Sequence, residues 1–154
     1  MKDRIKFNDA MLAAVMEGRK TQTRRPIDKE TLRLFDIASE AGECFPLGYN
    51  ADEPFEKYHL EFFPYCQVGD IINVADKDGN IKGKIEITDV WLQQINDISE
   101  SDAKAEGFDG KLNSYTSDFY AVWIGIYGID SWINNEWSWV IEFKKVEWWI
   151  NIVI

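Results

Sequence analysis

The stretch "NVADKDGNIKGKIEITDVWL" at 73–92 constrains this chain more than any other. Two runs rich in β-branched residues flank Asp78-Gly79, and Asp-Gly supplies the positive-φ geometry of a tight hairpin turn. The spacing predicts a strand over 71–75, a turn over 76–80 and a long second strand. Val68-Gly69-Asp70 reads as the turn that leads into the first of these strands. In the second strand Ile85 and Ile87 are apolar at odd positions, whereas Val90 and Leu92 are apolar at even ones. A change of parity flips the buried face, so a bulge or bend is expected near Asp89.

Other segments surround this hairpin with short strands and capped helices. Residues 4–7 read as a strand. Asn8 is a suitable N-cap, and Phe7 and Leu12 stand at the two positions of a hydrophobic staple. Met11, Ala14 and Val15 form an apolar helix face, and Gly18 suits the left-handed position that ends the helix. Thr21 to Arg25 is predicted to be a strand near a sheet edge, stopped by Pro26. Residues 28–41 read as a helix with Leu32 and Phe35 inward. Ser99-x-x-Asp102 matches a capping box for a helix running to Glu106 and ended by Gly107. Phe119, Val122, Trp123 and Ile126 repeat at helical spacing within 116–127, before Gly128. A strand follows around 139–144, and "WWINIVI" at the end of the sequence reads as one more. Strands in hairpins with helices inserted between them indicate an α+β fold whose sheet closes into a small barrel.

With 154 residues, 45% of them apolar, the chain suits one ordinary domain with a sizeable core. Residues 42–67 lose all periodicity, yet their aromatics make them too apolar for a linker. They are expected to form a packed insertion or lid. Cys44 and Cys66 stand far apart without a C-x-x-C motif, and His59 is the single histidine. Both thiols therefore read as reduced packing residues, and neither a zinc site nor a histidine-based triad is expected. The usual nucleotide-loop, serine-hydrolase and metalloprotease signatures are missing. No leader or membrane-spanning run is evident, so the expected location is the cytoplasm.

Chemistry must then use Lys, Thr, Tyr, Arg or carboxylates. The formal net charge is −10, from 27 acidic against 17 basic residues, and this opposes nonspecific binding of long nucleic acid. Against that background "GRKTQTRRP" at 18–26 concentrates Arg19, Lys20, Arg24 and Arg25. On a strand Thr21, Thr23 and Arg25 share one face, and Gln22 and Arg24 the other. Lys20 and Thr23 have opposite parity and converge only if the chain bends between them. Taken alone, this stretch reads first as a solvated edge strand guarded by positive charge. Asp102 and Glu106, four apart, share one helix face, which alone reads as a solvated surface.

Gly18, Lys20, Thr23 and Arg25 resemble the G-x-K-x-x-E-x-R hallmark of the ASCH domain, a PUA-like β-barrel family, with threonine in place of the hallmark glutamate. The variant pattern G-R-K-T-x-T-x-R is similar to that of small bacterial ASCH enzymes that hydrolyse N4-acetylcytidine. The resemblance extends to the Val-Gly-Asp turn at 68–70, to "IEITDV", to "ISESDAKAEG" and to "WVIEF", about two-thirds of the chain. In overall form the sequence looks like longer ASCH proteins common in phage and prophage genomes. Residues 28–67, the aromatic-rich insertion, and the "WWINIVI" tail go beyond the small amidohydrolases.

The resemblance implies a single ASCH domain over 1–154, with a PUA-like barrel of five to seven strands and helices inserted around it. It implies a metal-independent amidohydrolase that needs no cofactor, with Lys20, Thr23 and Glu106 as catalytic residues. Thr23 would attack an acyl carbonyl and neutral Lys20 would take its proton. Glu106 would position a water or protonate the departing amine. Arg19, Arg24 and Arg25 would bind substrate or brace the motif. The implied partner is a small nucleoside or nucleotide. The alternative is a binding module, or a ribonuclease, in which the basic turn meets the phosphates of short RNA and aromatics stack on its bases.

Overall fold

The computed structural model describes residues 2–42, 63–65 and 67–146. Its elements are β1 (Arg4–Lys6), α1 (Asp9–Met16), β2 (Gln22–Pro26), α2 (Lys29–Glu40), β3 (Ile71–Ala75) and β4 (Ile81–Gln94). A 3₁₀ turn (Ile95–Asp97) leads to α3 (Glu100–Ala105), α4 (Tyr115–Tyr127), α5 (Ile129–Ile133) and β5 (Trp137–Lys145). One sheet holds all five strands in the order β1-β3-β4-β5-β2. Only β1 and β3 run parallel. Among the described residues no helix is long and apolar enough to cross a membrane.

Local chemistry explains most boundaries. Asn8, Asp28, Ser99 and Ser114 each accept a backbone N–H from the residue three places on, which satisfies a donor that the first helical turn leaves over. Gly18 takes φ +80° directly after α1, as a reversing C′ residue must. The β3–β4 hairpin turns at Gly79, where φ is +89°. The register of β4 on β5 shifts between Ile87 and Asp89, where the apolar parity changes. The extra residue lets Ile85, Ile87 and Val90 all reach the core.

The expected α+β class is observed, and its five strands fall within the anticipated number. The barrel is a curled sheet whose edge strands β1 and β2 share no ladder among the described residues. They meet through a side chain, because Arg25 Nη2 donates to Lys6 O at 2.8 Å. With three residues, β1 offers little backbone for a second ladder. α5 has no counterpart in the sequence reading, because five residues are too few for periodicity to register. The strand assigned to "WWINIVI" lies outside the described residues, as do Cys44, His59, Cys66 and most of the aromatic insertion.

Two cores hold these elements. The larger joins the sheet to α1 and α2 around Ile5, Val15, Phe35, Ile87, Trp139 and Ile141. Phe35 and Phe63 both meet the Trp139 ring edge-on, at 6.3 and 5.4 Å. The smaller core packs α3 against α4 through Ile95, Ile98, Ala103, Phe119 and Trp123. α4 is thereby set opposite α1 and β2, and a cleft remains between them.

Candidate active site

The backbone around Lys20 is held on three sides. Arg19 N and Lys20 N both donate to Ala14 O at the end of α1, and Thr21 N donates to Ala105 O at the end of α3. Thr21 O in turn accepts from Phe143 N of β5. The helix ends approach so closely that a Cβ on Gly107 would lie 3.0 Å from the Cβ atoms of both Ala14 and Lys20. Gly107 also has φ +103°, so glycine is required there twice over. This contact turns Glu106, the C-cap of α3, onto Lys20.

Lys20 Nζ donates to Glu106 Oε2 at 2.6 Å and to Glu106 O at 2.9 Å. Arg24 Nη1 donates to the other carboxylate oxygen, Oε1, at 3.3 Å. Lys20 and Glu106 are 4% and 2% exposed, and the Arg24 side chain is fully covered. Two buried cations therefore share one buried carboxylate, an excess of positive charge where water cannot screen it. Burial is the chief cause that drives the Lys20 ammonium below its ordinary value. Glu106 opposes that shift, and Arg25 and Arg24 add to it.

The remaining polar groups extend this cluster. Arg24 donates to Gln93 Oε1 at 2.8 Å, to Gln22 Oε1 at 3.1 Å and to Asp102 Oδ2 at 3.5 Å. Gln22 Nε2 donates to Asp102 Oδ1 at 3.3 Å. Asp102 thus fills half of the expected capping box. Ser99 Oγ accepts its N–H, but its carboxylate faces Gln22 and Arg24 rather than the N–H of Ser99. A guanidinium is the stronger partner for a carboxylate than a single amide N–H.

On the other face of β2, Arg25 Nε donates to Thr23 Oγ1 at 3.3 Å. The Arg25 guanidinium lies 5.0 Å over the Phe7 ring, which fixes its plane. Thr23 is buried, and Arg25 is its one side-chain partner among the described residues. Lys20, Thr23, Arg24, Arg25 and Glu106 all line a cleft of about 310 Å³. Its opposite wall is apolar: Phe108, Phe119, Val122, Trp123, Ile126 and Tyr127, with Phe7 and Met11 at the floor. Burial raises the Tyr127 hydroxyl above its ordinary value, with Arg25 opposing, so this residue enters the cleft as a protonated donor.

Six residues were expected at this site from sequence, and five line the cleft. Arg19 does not. Its side chain is half exposed, pairs with Glu17 at 2.6 Å and donates to Gly107 O at 3.1 Å, behind the cleft wall. Arg24 reaches the cleft, but it is held by four protein acceptors and orients Glu106. Glu106 Oε2 accepts from Lys20 and Oε1 from Arg24. Gln93, Phe7 and Tyr127 were missed. Gln93 has no sequence signal, since its partner Arg24 is 69 residues away.

No protein-family model matches this sequence, and no curated protein matches it. Solved structures do. The ASCH domain from Lactobacillus crispatus JV V101 superposes with a TM-score of 0.53 at 19% identity, over 89% of this chain and 70% of that one. A DUF984 protein from Enterococcus faecalis V583 gives 0.50 at 19% identity, over 95% and 77%. At this sequence distance the comparison carries the fold alone. This chain has the fold of an ASCH domain.

Proposed function

We propose that this protein is an amidohydrolase acting on an acylated pyrimidine nucleoside, of which N4-acetylcytidine is the test case. The observation that carries this reading is the environment of Lys20, a buried amine lining the same open cleft as the Thr23 hydroxyl, with burial lowering its proton affinity. A neutral lysine has two N–H donors and one lone pair. Glu106 O and Oε2 accept both donors, so the lone pair is left for a hydroxyl in the cleft.

Thr23 Oγ attacks the acyl carbonyl and its proton passes to Lys20 Nζ. The tetrahedral intermediate collapses by breaking the C–N4 bond, and the Lys20 ammonium returns the proton to N4. Cytidine leaves with the acyl group on Thr23. Water, deprotonated by Lys20, then cleaves the ester to release the carboxylic acid and restore the hydroxyl. Arg25 donates to Thr23 Oγ and so favours the developing alkoxide. The apolar α4 wall offers a face for the base.

The alternative of a phosphate-binding turn finds less support. Arg19 and Arg24 are already paired within the protein, which leaves Arg25 as the arginine of this stretch with free donors in the cleft. The decisive assay follows the ultraviolet absorbance of N4-acetylcytidine as it becomes cytidine. Wild-type protein is expected to turn it over, and Lys20→Ala and Thr23→Ala to stop it. Full activity in both variants overturns the assignment.

A further inference from the structure

The cleft opens at Lys6 and Arg25 into a second groove of about 470 Å³, lined by Lys2, Asp3, Arg4, Lys6, Arg25 and Tyr65. Arg4 and Lys6 alternate along β1, so their side chains leave the same face of this edge strand, and Lys2, just before it, lines the same groove. Four cations meet one carboxylate there, in a protein whose net charge is −10. Asp3 is already bound to Arg4. Lys2 and Lys6 are exposed and have no acidic partner among the described residues. Lys2 Nζ lies 5.5 Å over the Tyr65 ring, which holds its stem across the groove. Arg25 keeps free donors beyond those given to Thr23 and Lys6 O.

We propose that this groove is a phosphate subsite, so that the ligand of the cleft is a phosphorylated nucleoside rather than the free one. The proposal rests on reading the cleft as a nucleoside site. Arg25 joins the two halves, bonded to Thr23 Oγ1 on one side and to Lys6 O at the groove on the other. A base against the α4 wall places its sugar at Lys6 and Arg25, and a phosphate beyond it among Lys2, Lys6 and Arg25. A phosphate monoester carries between one and two negative charges and three acceptor oxygens at neutral pH, which matches separate cations better than a single carboxylate does. A polyanion would bring further phosphates against the acidic remainder of the surface, so one phosphate is favoured over a long strand.

Calorimetric titration at low salt tests this with cytidine, cytidine 5′-monophosphate and cytidine 3′-monophosphate, on the wild-type chain and on Lys2→Gln/Lys6→Gln. At least one monophosphate is expected to bind about tenfold or more tighter than cytidine, as a few exposed charge contacts allow. The preferred isomer identifies which sugar position faces β1. The preference is expected to collapse in the double variant, whose exposed positions leave the core intact, and to shrink as salt is added. Equal affinity for nucleoside and nucleotides, no binding of any of them, or an unchanged preference in the double variant overturns the subsite. Hydrolysis of N4-acetylcytidine, followed on the same wild-type sample, reports separately on the amidohydrolase reading.

Discussion

Replacing Glu106 by glutamine tests how the buried cluster is held together. The change keeps shape but replaces one of the two acceptor oxygens by an NH2 donor and removes the one carboxylate shared by Lys20 at 2.6 Å and Arg24 at 3.3 Å. Breaking a buried pair by deleting one partner costs about 3–5 kcal/mol, because an uncompensated charge stays behind. Here Lys20 loses its carboxylate, and Arg24, which has no exposed surface through which to reach water, keeps only the longer contact to Asp102 at 3.5 Å. Lys20→Met is the informative partner. It removes a cation from an over-positive site, fills the space of the lysine stem and leaves Glu106 paired with Arg24. Its cost is two acceptors on Glu106 without their donor, about 1–2 kcal/mol. Urea unfolding at pH 7 measures both. With a slope of roughly 2 kcal/mol per molar, Glu106→Gln is expected to lower the midpoint by about 1.5–2.5 M and Lys20→Met by less than half of that. The Glu106→Gln deficit should shrink as pH rises, because Lys20 relieves it by releasing its proton. Equal losses, or a larger loss in Lys20→Met, would refute the reasoning that the carboxylate neutralises two buried cations.

Native Lys20 has a proton affinity below the ordinary 10.5, so between its lowered native value and 10.5 the unfolded chain binds more protons than the folded one. Stability from this group therefore rises with pH across that alkaline window and is lost as pH falls through the native value; Lys20→Met should flatten this slope in unfolding curves measured from pH 7 to 10.5. For hydrolysis the same shift predicts a rate that rises as Lys20 deprotonates, with an apparent pKa below 10.5 in kcat/KM. Thr23→Ala is expected to lower kcat by about 10⁴-fold or more with little effect on KM, whereas Thr23→Ser keeps measurable turnover. Gly107→Ala should cost roughly 1–3 kcal/mol by thermal unfolding, since φ +103° is strained for alanine and its Cβ meets Lys20 at 3.0 Å.

Much of the fold could be read locally because its signals act over a few residues. Asn8 and Ser99 cap helices through their own side chains, and Gly18 and Gly79 supply positive φ where the chain turns. The β4 bulge showed in the parity of Ile87 and Val90 before any partner strand was known. α5 was not legible, and neither was the meeting of β1 and β2, which depends on the reach of Arg25 across the curled sheet.

For the site, the sequence alone determined that basic and hydroxyl groups cluster at 18–25, and that Glu106 ends a capped helix sharing a face with Asp102. Those are properties of spacing along one strand and one helix. Tertiary structure decided which of these charges meet. Glu106 reaches Lys20 across 86 residues because Gly107 lets two helix ends touch, and Arg24 turns inward while Arg19 turns out. It also decided the direction of the Lys20 shift, since burial depends on what α1, α3 and β5 place around the amine, and no spacing along the chain encodes that.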